Sequence, residues 1–166
     1  MENKKLWLGP VFLFGLIVVG YLDAQVDSSL NGTWVDEIGI ETTYNNGDFQ
    51  VFIPSINSYG GRGTYRTNNG NITQITTHIH GDGLSYILEE FILAELIPPS
   101  TFSFNKKWYS KEEIQTELTR HGYTETLDLF LMFFSEITVS YNVAGNLLVI
   151  TLDGVKNTAR RKQEMF

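Results

Sequence analysis

The chain is 166 residues long, 42% apolar and 13% aromatic, carries a formal charge of -7 and has no cysteine. That length and apolar fraction suit one domain around one core, and an acidic balance without clustered Lys and Arg excludes a phosphate-tracking surface, so nucleic acid is not an expected partner. The lack of thiols rules out disulfides, thiolate chemistry, cysteine-based zinc sites and a lipid-modified N-terminal cysteine; the core alone must hold the fold, as it does in a closed barrel with a filled interior.

At the N-terminus Lys4 and Lys5 precede an uncharged stretch from Leu6 to Leu22, and Ala24 follows. This order predicts a secretory signal peptide over residues 1–24, a mature domain over 25–166, and a protein that is periplasmic, in the cell envelope or secreted. The alternative is a retained anchor, the one expected route to membrane contact; the stretch is at the short limit of a bilayer span, and Pro10 sits near its start. Cleavage would remove Glu2, Lys4, Lys5 and Asp23, leaving the charge at -7.

Residues 25–83 read as short strands separated by Gly and Asn clusters, the pattern of an all-β meander. "YNNGDF" (44–49), "TNNGNI" (67–72), "VAGNLL" (143–148) and "LDGV" (152–155) are four hairpin turns, because Asn and Gly adopt the positive φ that such turns require. In "DFQVFI" the residues Phe49, Val51 and Ile53 alternate with Gln50 and Phe52; in "EITVSYNV" Ile137, Val139, Tyr141 and Val143 alternate with Thr138, Ser140 and Asn142. Period two sends one set to a core and the other to water. "NITQITTHIH" and "NLLVITL" also read as strands, the second too continuously apolar for periodicity to choose its inward face.

The middle of the chain changes period. Leu84, Ile87, Leu88, Phe91 and Ile92 fall on one helical face, with Asp82 as cap and Pro98 and Pro99 as stop. Ser110 and Glu113 form a capping box for a second helix that stops near Gly122. "TETLDLFLMFFSE" is apolar nearly all round and fits a buried helix or a strand. The expected architecture is mainly β, an antiparallel meander with a helical insert at about 84–134.

"LNGTWV" (30–35), the hairpins at "NNGDF" and "RGTYRTNNGNITQIT", the insert around "WYSKEE", and the closing "TVSYNVAGNLLVITLDGVKNTARRK" together resemble the small exported lipocalin-like (calycin-type) β-barrel domains of bacteria. The resemblance covers most of the mature chain. It implies that Trp34 of the Gly-x-Trp signature sits at the closed end of a barrel, that Arg160 or Arg161 from the last strand covers its ring, and that Gly32 lies where the chain passes close to its neighbours. A guanidinium over an indole gains ~0.5 to 2 kcal/mol and can also cap carbonyls. The long insert departs from a minimal eight-stranded barrel and leaves strand count and closure open.

"HIHGDG" (78–83) puts His78 and His80 two apart, a strand spacing that can aim two imidazoles at one metal. It also resembles the His-x-His-x-Asp-His run of the metallo-β-lactamase superfamily, but Gly83 stands where the last histidine belongs and only His121 remains elsewhere. The plain alternative is two polar residues on the solvent face of a Thr-rich strand. "GGRG" (60–63) lacks the spacing of a phosphate cradle and reads as a turn into a strand. Phe102, Phe104, Trp108 and Tyr109 follow the two prolines and suit either a ligand rim over a barrel mouth or the packing of the insert onto the barrel.

Three functions follow from these residues. The first is an exported lipocalin-like carrier of a small apolar or amphipathic ligand or lipid, with the insert as lid and neither catalysis nor a cofactor. The second is a non-catalytic envelope or protein-interaction domain of the same fold with a filled interior, its partner unspecified. The third, and weakest, is a metal enzyme using His78 and His80.

Overall fold

A computed structural model describes residues 26–97 and 102–163; the predicted leader and the Pro98–Pro99 stop lie outside them. Nine strands occur there: β1 (Gly32–Asp36), β2 (Glu41–Asn45), β3 (Asp48–Ile53), β4 (Ser58–Asn68), β5 (Asn71–His80), β6 (Trp108–Ser110), β7 (Glu136–Ala144), β8 (Leu147–Leu152) and β9 (Val155–Arg161). The helices are α1 (Gly81–Leu93), α2 (Lys111–Arg120) and α3 (Leu127–Leu131).

The four predicted turns set the meander. Asn46–Gly47, Asn69–Gly70 and Asp153–Gly154 place both central residues at positive φ, and the fourth places Gly145 alone there, the two arrangements whose twist matches that of antiparallel strands. A fifth reversal joins β1 to β2, where the Asp36 carboxylate accepts the backbone N–H groups of Ile38 and Ile40.

Each barrel strand pairs antiparallel with its sequence neighbour, β5 pairs β7 across the insert, and β9 returns to β1 with Trp34 opposite Arg161. Eight strands therefore close on themselves, and no barrel edge is left unpaired. This is the lipocalin-like up-and-down architecture that the resemblance implied. The ninth strand, β6, extends the sheet by pairing with His78–His80 beyond the stretch of β5 taken by β7.

The insert begins at Gly81, three residues before Leu84, because His80 and not Asp82 caps it, its Nδ1 accepting the Asp82 N–H. The Ser110–Glu113 capping box starts α2 as expected, and the ambiguous third segment is helical, α3 between two 3₁₀ turns. Among the described residues no helix is long and apolar enough to cross a membrane.

Two cores result. One fills the barrel around Trp34, Phe49, Ile72 and Leu148; the other joins α1, α2 and α3 through Leu84, Phe91, Ile114, Leu118 and Phe130. β5 serves both because of a bulge. Gly63 opposes Thr76 and Arg62 opposes His78, which leaves Thr77 as an extra residue. Before it Ile72 and Thr76 are buried in the barrel; after it the phase flips and Ile79 is buried in the insert core. "GGRG" is no turn: it lies within β4, and a Cβ on Gly83 would meet the Gly60 backbone at 2.8 Å, so α1 lies directly on the strand there.

Candidate functional site

One end of the barrel is sealed by the "LNGTWV" segment. A 3₁₀ turn at Ser28–Leu30 is capped by the Asp27 carboxylate, which accepts the Ser29 N–H at 2.8 Å and the Tyr141 hydroxyl at 2.7 Å. The Tyr141 bond, foremost, holds the Asp27 carboxyl below its ordinary range, while burial pushes the Tyr141 phenol up to about 12. Trp34 is 1% exposed and its indole N–H donates to the Leu30 carbonyl at 2.7 Å. Arg161 lies over the ring, 4.5 Å from its centroid, and donates to the carbonyls of Asn31 and Ser29 at 2.9 and 2.6 Å. Arg160, opposite Val35 on the other face, is exposed. Gly32 has φ +123°, a conformation that favours glycine, and a Cβ there would stand 3.3 Å from the Arg161 guanidinium and press on it.

Beyond Trp34 the inward side chains do not fill the barrel completely. A cavity of about 510 Å³ runs toward the opposite end, bordered there by the β1–β2 and β8–β9 turns. Its walls are the inward sets of the strands: Phe49 and Val51, Ile137 and Val139, then Leu148, Ile150 and Leu152. The inward face of "NLLVITL" is thus the even one. The space exists because several inward positions are small, Thr42, Thr76 and Ala159 among them. Inside it the Gln74 amide donates to the Tyr44 hydroxyl at 2.5 Å, and burial raises the Tyr44 pKa, keeping the phenol neutral. Asp36 and Asp153 line the mouth. Burial raises the Asp36 pKa against the pull of the N–H groups of Ile40 and Ile38. Ile38 and Val155, 56% and 62% exposed, stand in the two turns that border this end.

None of Phe102, Phe104, Trp108 and Tyr109 lines the cavity, nor does any other described residue of 81–134; the described part of the insert is a second core beside the mouth and not a lid over it. Phe104 and Tyr109 are buried in that core, and Phe102 stacks on His121 at 3.9 Å. Trp108, one residue out of phase with Tyr109 on β6, carries Arg62 at 4.4 Å and Tyr59 at 5.9 Å. The helices need apolar cover, and Phe102, Phe104 and Tyr109 supply it, while Trp108 packs on Arg62, Tyr59 and His80.

His78 and His80 do share a strand face, but the bulge points it away from both cores, and among the described residues no three His, Asp or Glu group as a metal cluster. His80 Nδ1 accepts the Asp82 N–H at 3.3 Å and lies 3.3 Å from the Ser58 hydroxyl, which makes its shorter bond, 2.7 Å, to the Asp82 carboxylate. Ser58, His80 and Asp82 are therefore together, yet as a helix cap. A nucleophile relay would send the serine proton to the histidine and set the acid on the other ring nitrogen.

The residues missed from sequence are the cavity's own: Asp36, Ile40, Tyr44, Gln74 and Ala159. Gln74 and Thr76 were within reach, because they continue the even phase of Ile72.

No family model and no curated protein matches the chain. Similar solved structures include an uncharacterised protein from Bacteroides eggerthii, with 14% identity and a TM-score of 0.46 over 80% of this chain and 99% of that one. A lipocalin-like protein from Bacteroides uniformis is similar with 12% identity and a TM-score of 0.41 over 81% and 100% of the two chains. The fold assignment rests on the strand order and closure above.

Proposed function

We propose that this protein is an exported, non-catalytic carrier that holds one small apolar or amphipathic molecule inside its barrel. The observation that carries the reading is the cavity: about 510 Å³, mainly apolar in its walls and set with a few polar groups, within the roughly 300–1,000 Å³ typical of small-molecule sites. A barrel built only as a structural or interaction domain would gain from filling that space, since an apolar void forfeits dispersion contacts. Export is supported by the order of Lys4, Lys5, the uncharged run and Ala24.

Native mass spectrometry of the protein purified from its own source tests the carrier reading. The expected spectrum contains a second species heavier than the chain by a lipid-sized or smaller mass, released on collisional activation. Recovery of the bare chain alone, across gentle conditions, would overturn it and favour the structural reading.

A further inference from the structure

The ionisable side chains lining the cavity are of one sign. Apart from the neutral Tyr44 phenol they are the carboxylic acids Asp36 and Asp153, and no Lys, Arg or His is among them. Glu37 stands beside them in the β1–β2 turn, its Oε1 taken by the Thr158 hydroxyl. The cation nearest along the chain to the β8–β9 turn, Lys156, is exposed and does not line the cavity. Arg161 is committed to the sealed end and Lys162 to Glu41.

Asp36 is bound by backbone N–H groups and, among the described residues, by no cationic side chain. Its Oδ1 accepts the N–H groups of Ile38 and Ile40 at 3.0 and 2.8 Å, and the Gly39 N–H also acts on the carboxyl, so its partners are neutral backbone donors and none is a cation. Burial raises its pKa, so the ionised form stands there short of a counter-charge. It lies two residues along β1 from Trp34, about 7 Å nearer the mouth. A ligand whose tail fills the apolar space toward Trp34 therefore brings its head to the two acids.

An ammonium head placed there gains the missing counter-charge in a partly desolvated site. A carboxylate head loses its water, meets like charge and finds no base. Resting on the carrier reading, we propose that the cavity selects amphiphiles with a cationic, amine-type head and rejects carboxylate-headed ones of the same tail, Asp36 and Asp153 being the residues that discriminate.

The test is displacement of the neutral dye Nile red from the full chain by decylamine, decanol and decanoate, the two ionic amphiphiles below their micelle concentrations and decanol below its solubility limit. Decylamine is expected to displace at a concentration at least about tenfold lower than decanoate, with decanol between them. Asp36→Asn keeps an oxygen for the turn's N–H groups, and Asp153→Asn suits the positive φ at that position; the double variant is expected to bring the three probes within about threefold of one another. Glu89→Gln, exposed on α1 and away from the cavity lining, should leave the preference intact, which separates the site from the general pull of a protein of charge -7 on cations. Should Asp36→Asn fail to fold, Asp153→Asn alone must still narrow the preference. Decanoate binding as well as decylamine, or a preference that survives in the variants, overturns the selectivity and leaves the carrier reading standing. Failure of the dye and of all three amphiphiles to bind overturns both.

Discussion

Replacing Arg161 by methionine isolates the seal of the barrel, because methionine keeps most of the stem packing and removes the charge and the donors. The guanidinium stands 4.5 Å from the Trp34 centroid and donates to two carbonyls at 2.9 and 2.6 Å. A partly desolvated cation-π contact contributes about 1 kcal/mol. Each charged hydrogen bond, discounted for partial exposure, contributes about 1 kcal/mol. The expected loss is about 3 kcal/mol, which at roughly 2–4 °C per kcal/mol for a domain of this size lowers Tm by about 6–12 °C. Arg160→Met is the internal control: Arg160 is exposed, and the change should shift stability by no more than about 0.5 kcal/mol. Urea and thermal unfolding followed by circular dichroism measure both. Equal losses for the two variants, or a smaller loss for Arg161→Met, would refute the account of the seal and with it the role assigned to the Gly-x-Trp segment.

Filling the cavity should uncouple binding from stability. Ala159→Phe places a ring into empty space on a strand that tolerates aromatics, so Nile red affinity should fall at least about tenfold while Tm holds or rises; unchanged binding would show that the dye sits elsewhere. Gly83→Ala should cost about 1–3 kcal/mol in urea unfolding, because its Cβ would meet the Gly60 backbone at 2.8 Å and lift α1 from β4. Asp27 has a folded pKa below its ordinary 3.8, chiefly through the Tyr141 hydroxyl; its contribution is present in full above the unfolded value and is lost as pH falls through the folded one. Tyr141→Phe should therefore flatten the fall of Tm below about pH 4 and raise the Asp27 carboxyl pKa seen by NMR, and an unaltered acid limb would remove Asp27 from the seal.

Local chemistry was legible in the sequence wherever it needed no partner. Asn46–Gly47 and Asp153–Gly154 require positive φ in any context, Ser110 and Glu113 cap their helix from within one turn, and the alternation of Phe49, Val51 and Ile53 names an inward face directly. What depended on the far side of the fold was not legible. The β1–β2 reversal is held by a side chain, Asp36, that composition marks as an ordinary strand-end acid. The three residues of β6 are too few for a periodicity, and the aromatics around them have the same composition whether they line a ligand or cover helices. The cavity was hidden for a related reason: it is set by the summed size of side chains from strands distant in sequence, with Thr42, Thr76 and Ala159 meeting across the barrel.

The bulge at Thr77 joins these points physically. Were β5 to keep one phase throughout, the even residues Ile72, Gln74 and Thr76 would be followed inward by His78 and His80, and two imidazoles would face the apolar side chains of α1, at a desolvation cost that no neighbouring group offsets. One extra residue instead turns Ile79 onto that face and frees His80 to cap the helix. The sheet of β4 and β5 thus runs on past the barrel and carries the insert on its own core, to one side of the opening. That offset leaves the β1–β2 and β8–β9 turns, with Asp36 and Asp153 in them, to border the cavity mouth. The insert and the binding cavity are for this reason separable: changes within the second core should alter stability without altering which head group the barrel accepts.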